Sequence, residues 1–374
     1  MNEFVKQIQF LYFDAGGGHR AAATALKTVI EQQSRPWQIT LVNLQELLRP
    51  LDIVRKISGI ELQDMYNLML ARGWTFGFAQ WLRLMHGVIR VNHSATLSLL
   101  ERHWIETKPD LAVSLIPNFN RAMFESLKRS LPRTPFVTIL TDLADYPPHF
   151  WIERQPQFLI CGTERAVEQA RGLGHSEDRI FGVSGMILRP NFYAPIETDR
   201  ATERKNLGLD PVRPTGLVLF GGQGSAVMVE IARRLSGTQL ILICGKNAKL
   251  AAALRAMPGG APRFVEGFTS EVPAYMHLAD FFIGKPGPGS ISEAVAMKLP
   301  VIVERNACTM PQERYNTEWV RERGVGIVLR DFRGIDAAVR ELLASLEQYR
   351  ARVEKINNRA VFEIPVILER ILSA

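Results

Sequence analysis

Short apolar segments alternate with amphipathic helical segments along most of the chain. In the first half, the apolar segments are IQFLYF, WQITLVNL, DLAVSLIP, PFVTIL and QFLICGT. In the second half, they are TGLVLFGG, QLILICG, PRFVEGF, DFFIGKP, PVIVERN and VGIVLRD, again separated by helical patterns. Apolar runs of this length are typical of strands buried in a parallel sheet, and their alternation with helices predicts a doubly wound α/β fold.

The two halves are separated by residues 191–213, which are rich in proline and charge and poor in aliphatic side chains. We therefore predict two Rossmann-like domains facing across a cleft, an N-terminal domain over 1–190 and a C-terminal domain over 214–348, joined by this linker. Residues 349–374 are predicted to form a C-terminal helix that packs back on the N-terminal domain. Ligands of such sheets bind beyond the carboxyl ends of the strands, so the cleft is the expected site.

Each half contains a strand, a glycine-rich turn and a helix in immediate succession. In the first, QIQFLYFDAGGGHRAAATALKTVI, the glycines are followed directly by His19. The second is LVLFGGQGSAVMVEIARRL. Free backbone N–H groups at a helix N-terminus bind anions, and glycines let a ligand approach the backbone. Both turns are therefore predicted to face an anionic ligand, and a tight turn capped by His19 is the alternative for the first.

Neither glycine turn matches a dinucleotide-binding fingerprint. DAGGGHRAA lacks the G-x-G-x-x-G spacing, and GGQGSAVM has no third glycine at the required position. The second strand of each half does not end in the acidic residue that would bind a ribose, and no P-loop lysine motif is present. These observations argue against a nicotinamide or flavin cofactor.

Composition narrows the class of protein further. The 374 residues are 47% hydrophobic and 22% charged, which suits two globular domains with ample cores. The net charge of +7 is scattered along the chain without a nucleic-acid-binding motif, so nucleic acid is not an expected partner. The same charge would help to attract an anionic membrane or a nucleotide phosphate. Three cysteines without metal or CxxC spacing, no signal-peptide pattern and no membrane-spanning apolar run predict a cytoplasmic or peripheral protein.

The GKPGPGS turn follows an apolar strand and opens a helix that we place from Ser290. Its backbone N–H groups can hold phosphate, and Lys285 supplies a cation within reach. Glu293, one turn inside that helix, can accept hydrogen bonds from a ribose diol.

A second group of polar residues follows the next strand. Gln312, Glu313 and Asn316 fall at the start of one helix, with a spacing that lets them face the same side. Together they suit the hydroxyl groups of a sugar, whereas capping or solvent exposure is the alternative for any one of them alone.

These motifs resemble those of the GT-B glycosyltransferases that include monogalactosyldiacylglycerol synthase, the bacterial diacylglycerol glucosyltransferases and MurG. DAGGGHRAA resembles the Gly-Gly-His turn of that family, VTILTDLADYPPHFW its Thr-Asp segment ending in tryptophan, and GMILRPNF the segment that closes its N-terminal domain. GKPGPGSISEA and PQERYN resemble its donor-site signature, in which the glycolipid branch carries Gln-Glu. The resemblance covers nearly the whole chain.

Two departures from the family pattern lie on the N-terminal side. His149 directly precedes Phe150 in PPHFW, where the glycolipid enzymes usually have His-Pro shortly before the tryptophan. Ile187 replaces the first proline of the family's Gly-x-Pro-x-Arg-Pro.

The resemblance implies a GT-B fold and an inverting hexosyltransferase that needs no bound metal or other cofactor. It further implies UDP-galactose or UDP-glucose as donor and a lipid acceptor such as diacylglycerol at an anionic membrane surface. A MurG-like transferase with another acceptor, an isomerase similar to the UDP-N-acetylglucosamine 2-epimerases, and a binding protein that has lost catalysis are the alternatives. The implied donor-binding residues are Gly222, Gly224, Ser225, Phe268, Lys285, Gly287, Gly289, Ser290, Glu293, Gln312, Glu313 and Asn316, and the implied acceptor-side residues are Gly17, Gly18, His149 and Trp151.

By the same resemblance, His19 lies on the acceptor side, beside the reacting carbon of the sugar. Inverting transfer requires the acceptor hydroxyl to lose its proton as it attacks, and a histidine near neutral pKa is a suitable general base. Asp142 is the rival base, or a residue that orients His19. Backbone N–H groups of both glycine turns would stabilise the charge on the departing UDP.

One further segment bears on the membrane. Residues 69–93 mix Trp74, Phe78 and other aromatic residues with several arginines. This composition suits a helix or loop in a membrane interface, and packing of the aromatic side chains in the N-terminal core is the alternative.

Overall fold

The computed structural model describes residues 5–14, 17–51 and 92–373. Most of the segment predicted to contact a membrane, residues 69–91, therefore lies outside the described residues. Within the described ranges, no helix is both long enough and apolar enough to cross a membrane.

The chain divides into two compact units. The first unit comprises Met1–Pro190, Met310–Gln312 and Asn358–Ala374, and the second comprises Asn191–Thr309 and Glu313–Asn357.

The sheet of the first unit has six strands in the order β2-β1-β3-β4-β5-β6, and every neighbouring pair is parallel. Its strands are β1 (Lys6–Tyr12), β2 (Trp37–Asn43), β3 (Leu111–Ser114), β4 (Phe136–Ile139), β5 (Phe158–Cys161) and β6 (Ile180–Gly182). Its first helices are α1 (Gly18–Gln32), α2 (Leu44–Leu48), α3 (His93–Thr107), α4 (Asn120–Ser130) and α5 (Glu164–Gly172). The central strands β3 and β4 are buried along their whole length, as a sheet covered on both faces requires.

The sheet of the second unit also has six parallel strands, in the order β12-β11-β10-β7-β8-β9. Its strands are β7 (Thr215–Leu219), β8 (Gln239–Ile243), β9 (Arg263–Glu266), β10 (Phe281–Gly284), β11 (Val301–Glu304) and β12 (Gly326–Leu329). Its helices are α6 (Arg200–Asn206), α7 (Val227–Arg234), α8 (Ala248–Arg255), α9 (Val272–His277), α10 (Pro288–Ala296), α11 (Arg314–Arg323), α12 (Ile335–Ala344) and α13 (Leu346–Glu354).

The last helix, α14 (Ala360–Ser373), belongs to the first unit. It packs against α1, and Arg35 forms an ion pair with Glu369 at 2.8 Å. Short 3₁₀ helices complete the described structure at Arg49–Leu51, Glu177–Arg179, Pro190–Phe192, Pro311–Glu313 and Phe332–Gly334.

The α/β class with two Rossmann-like sheets is confirmed, but several details differ from the sequence-based expectations. Strand β6 was not predicted, because its three residues are too few to stand out as an apolar run. The segment 191–213, expected to be a linker, contains α6 and groups with the second unit. Helix α10 begins at Pro288, two residues before the expected Ser290, because proline is well tolerated in the first turn of a helix.

The glycine-rich motifs lie at the points where the strand order of each sheet reverses, so that successive strands are added on the other side. In the first unit, the chain moves from β1 to β2 on one side and resumes at β3 on the other, so the reversal lies between β1 and β3. In the second unit, the reversal lies between β7 and β10. The turns that follow β1, β7 and β10 are the three glycine-rich turns of the sequence, and such reversal points are the usual ligand sites of open α/β sheets.

At the amino ends of the strands, opposite the glycine-rich turns, one buried carboxylate holds the second sheet together. Asp280, which directly precedes β10, accepts hydrogen bonds from Arg200 at 2.9 Å, Arg350 at 2.6 Å and Arg204 at 2.7 Å. It also accepts from the backbone N–H of Thr215 at 2.8 Å. Burial acts to raise the pKa of Asp280, but the arginine charges and these hydrogen bonds outweigh it and lower the pKa. One ionised side chain thereby joins α6, β7, β10 and α13.

We expect Asp280→Ala to destabilise the protein by about 3–5 kcal/mol, because it leaves three arginines facing one another without their carboxylate. The matched control is Asp336→Ala, which removes an exposed ion pair with Arg340 and is expected to cost less than about 1 kcal/mol. Urea unfolding of both variants measures the difference. Equal stabilities for the two variants would contradict this assignment.

Candidate active site

The first glycine turn places His19 at the N-terminus of α1. Gly17 adopts a left-handed conformation, with φ of 79°, just before the helix begins at Gly18. A β-carbon at either glycine would meet no other atom within 4 Å, so there is open space beside the turn. His19, the second residue of the helix, is partly buried.

The imidazole ring of His19 contacts the segment that follows β4. Its Nδ1 lies 3.0 Å from Oγ1 of Thr141, at hydrogen-bonding distance. Burial lowers the pKa of His19 from its usual 6.5 to about 4, although a hydrogen bond with the backbone of Leu115 acts in the opposite direction. The ring is therefore neutral at physiological pH, which is the form that can accept a proton.

Asp142, the rival base, is buried and directly follows Thr141, the residue that contacts His19. Its Oδ2 accepts a hydrogen bond from the indole N–H of Trp151 at 2.9 Å. The Trp151 ring lies 5.9 Å from the His19 ring, centroid to centroid. Trp151 is fully buried. This predicted acceptor-side residue therefore supports the candidate bases from within the protein.

Asp145, which the sequence reasoning missed, organises the loop that carries Trp151. Its two carboxylate oxygens accept the backbone N–H groups of His149 at 2.9 Å and Trp151 at 2.6 Å. Burial raises the pKa of Asp145, and the two N–H donors oppose that effect. The side-chain amide of Gln169 in turn accepts a hydrogen bond from the backbone N–H of Asp145 and donates one to the backbone carbonyl of Asp145.

His149 has an exposed side chain and a left-handed backbone, with φ of 64°. The PPHFW segment therefore makes a tight turn at the residue where this chain departs from the family pattern. Asp145 and Thr141 could have been found from the sequence, because both lie in the VTILTDLADYPPHFW motif.

In the second unit, the turn after β7 is built around glycines. Gly221 and Gly224 both have positive φ, of 74° and 61°. A β-carbon at Gly224 would lie 2.7 Å from the carbonyl oxygen of Cys244, so the turn cannot accommodate a side chain there. Lys246 donates its backbone N–H to the carbonyl of Gly222 at 2.8 Å. Ser225 lies at the end of the turn, just before α7 begins at Val227.

The turn after β10 brings together two predicted donor-site residues that are distant in sequence. Lys285 lies 3.2 Å from Oε1 of Glu313, and this carboxylate is almost fully buried. A β-carbon at Gly287 would lie 3.3 Å from Cε of Lys285, which shows how closely the turn wraps this side chain. The sequence predicts that Lys285 contacts a phosphate. In the structure its ammonium group binds Glu313, and an ammonium group has further N–H donors for an anion.

Asn316 also acts on this turn. Its side chain is fully buried, and Nδ2 donates to the carbonyl of Pro286 at 2.8 Å. Its Oδ1 is buried without a hydrogen-bond partner among the described residues. The Asn316 amide thereby fixes the backbone that leads into α10, and one buried acceptor remains unsatisfied.

The remaining predicted donor residues occupy different parts of the chain. Gln312 groups with the first unit, where its amide donates to the sulfur of Met310 at 3.6 Å and its Oε1 is buried without a partner among the described residues. Glu293 is partly buried in α10, while Gly289 is exposed in its first turn and Ser290 follows it. Phe268 is 67% exposed, with the ammonium group of Lys246 lying 5.4 Å from its ring centroid.

Comparison with known proteins places the chain among glycosyltransferases. The model of the glycosyltransferase family 28 C-terminal domain matches residues 217–370. The rice (Oryza sativa subsp. japonica) protein "Probable monogalactosyldiacylglycerol synthase 2, chloroplastic" is 30% identical over 352 residues, which cover 87% of this chain and 71% of that protein.

Two solved structures show the same fold at low identity. MurG of Acinetobacter baumannii superposes with a TM-score of 0.65 and 11% identity, covering 98% of this chain and 99% of that one. UDP-GlcNAc 2-epimerase from Neisseria meningitidis bound to UDP-GlcNAc superposes with a TM-score of 0.59 and 13% identity, covering 98% and 100%.

The two Rossmann-like sheets form a GT-B fold. The family 28 domain and the rice relative together identify the chain as a UDP-sugar-dependent hexosyltransferase. More specifically, the chain belongs to the monogalactosyldiacylglycerol synthase family. The resemblance seen in the sequence motifs is thus confirmed.

The environment of His19 makes a direct prediction about its titration. Because burial disfavours the imidazolium, the ring should stay neutral from about pH 8 down to about pH 5.5 and gain its proton near pH 4. An NMR titration of the histidine rings, with His19→Asn to assign the signal and free histidine in the same buffer as reference, checks this. A His19 midpoint close to that of the reference would contradict the assignment.

Proposed function

We propose that this protein transfers galactose or glucose from a UDP-sugar to a lipid acceptor such as diacylglycerol, at a membrane surface, with inversion and without a bound metal. The observation that carries the proposal is the neutral imidazole of His19 at the start of α1, held by Thr141 beside an open glycine turn. The similarity to the rice protein, a probable monogalactosyldiacylglycerol synthase, supports these classes of sugar and acceptor.

In the proposed reaction, the acceptor hydroxyl attacks the anomeric carbon of the sugar. A new carbon–oxygen bond forms on one face while the bond to the diphosphate breaks on the other. The hydroxyl proton passes to a ring nitrogen of His19, and UDP leaves with the electron pair of the broken bond. The pKa near 4 is that of the protein without substrate; an anionic donor near the ring would favour the imidazolium and raise it.

The charge that develops on UDP requires a preorganised set of donors. We assign this role to the backbone N–H groups of the turn after β7 and of the first turn of α10, together with Lys285. Glu313 and Asn316 would bind sugar hydroxyls or hold the turn that does so; Asn316 already holds this turn, through its hydrogen bond to the carbonyl of Pro286.

Asp142 remains the alternative base. Its carboxylate accepts the indole N–H of Trp151, whose ring lies 5.9 Å from that of His19. In an orienting role, it would stabilise the imidazolium after proton transfer without receiving the proton itself.

We expect the protein to release UDP from UDP-galactose or UDP-glucose in the presence of anionic vesicles that contain diacylglycerol, and to do so in EDTA. Mass spectrometry of the extracted lipid should show one added hexose. Vesicles without diacylglycerol are the control. UDP release that ignores diacylglycerol, or interconversion of UDP-GlcNAc with its epimer in the absence of any acceptor, would replace this proposal with one of the alternative functions.

His19→Ala should lower turnover roughly 10²–10⁴-fold, the usual contribution of a general base, while the affinity for UDP changes little. His277→Ala, in α9 of the second unit, is the control and should keep full turnover. Steady-state kinetics and calorimetry with UDP measure the two effects. If Asp142→Asn costs as much as His19→Ala or more, the carboxylate is the base; if His19→Ala keeps full turnover, His19 has no catalytic role.

A further inference from the structure

We propose that Thr141 is a positioning residue for His19: the threonine hydroxyl holds the imidazole ring in one orientation. The inference rests on the proposed function, in which His19 is the general base. It begins from the 3.0 Å distance between His19 Nδ1 and Thr141 Oγ1, which joins residues 122 positions apart.

The contact restricts a torsion that is otherwise soft. Rotation about the bond to an imidazole ring is broad and roughly two-fold, so an unrestrained ring would exchange its two nitrogens between the site and the protein. The hydrogen bond between Nδ1 and Thr141, together with the one between the ring and the backbone of Leu115, favours one of these orientations. The indole of Trp151, at 5.9 Å and tilted by 57°, bounds the ring from a second direction.

Both partners are held by structure that does not depend on the ligand. His19 lies in the first turn of α1, whose inner face packs in the core of the first unit. Thr141 follows the buried strand β4, and the next residue, Asp142, is fixed by Trp151. A rigid supporting contact of this kind keeps a catalytic group within the narrow geometry that proton transfer requires.

The tautomer depends on more than one contact. A neutral imidazole carries one N–H, and a threonine hydroxyl can either accept or donate. Thr141 can therefore hold Nδ1 in either tautomer, and the hydrogen bond between the ring and the backbone of Leu115 is the second contact that favours one of them. The bond to Thr141 persists in the imidazolium, because both ring nitrogens then carry protons and the hydroxyl accepts. We assign to Thr141 the orientation of the ring before and after proton transfer.

Thr141→Val, which replaces the hydroxyl by a methyl group of similar size, should lower kcat roughly 10-fold to 100-fold. KM for the UDP-sugar and the affinity for UDP should stay within about twofold, because the residues assigned to UDP binding lie in the second unit. Thr141→Ser, which keeps the hydroxyl, should restore most of the activity. Thr107→Val, at an exposed threonine of α3, is the control for threonine-to-valine replacement and should retain full kcat.

A second measurement does not depend on activity. In protein labelled with ¹⁵N-histidine, the neutral ring of His19 should show one tautomer, and Thr141→Val should mix the two. A wild-type ring with mixed tautomers, or a Thr141→Val variant with unchanged kcat and unchanged tautomer, overturns the proposal. If the wild type transfers no sugar, the proposed function fails, and the NMR result still decides whether Thr141 holds the ring.

Discussion

All strands of each sheet run parallel, and this constraint determines where the chemistry can lie. Because neighbouring strands point the same way, the segments that leave their carboxyl ends gather at one edge of each sheet. Every motif with candidate chemistry follows a strand at such an edge: the His19 turn after β1, Thr141 and Asp142 after β4, and the glycine turns after β7 and β10. The opposite edge of the second sheet carries the buried Asp280 cluster, which stabilises the unit and contains no catalytic candidate.

The sequence predicted the architecture well because the strands of a parallel α/β fold are continuous apolar segments, which are easy to recognise between helical patterns. All six apolar segments of the second half form the six strands of the second sheet. Strand β6 was not predicted because it has only three residues. Helix α6 was not predicted because its seven residues are largely polar. Helix α10 begins two residues before the expected start, at Pro288, where local turn chemistry rather than apolar periodicity decides the first helical residue.

The sequence predicts which residues belong to the candidate site, but it does not predict the contacts between them. Motif spacing pointed to Lys285 and Glu313 separately, yet their ion pair depends on how the turn after β10 approaches Glu313, 28 residues further along the chain. The role of Thr141 likewise depends on the pairing of β4 beside β3, which brings the segment after β4 toward the start of α1. Long-range pairing of this kind is tertiary information, and one sequence read by periodicity and motif does not contain it.

The central claim is that His19 deprotonates a lipid hydroxyl that attacks the sugar directly, in a single displacement. The stereochemistry of the product tests this claim most directly, because UDP-galactose and UDP-glucose carry an α-linked sugar and one displacement inverts that centre. Proton NMR of the glycolipid made from either donor and diacylglycerol should show a β-linked hexose. An α-linked product would contradict the account, because retention requires chemistry other than one attack assisted by one base.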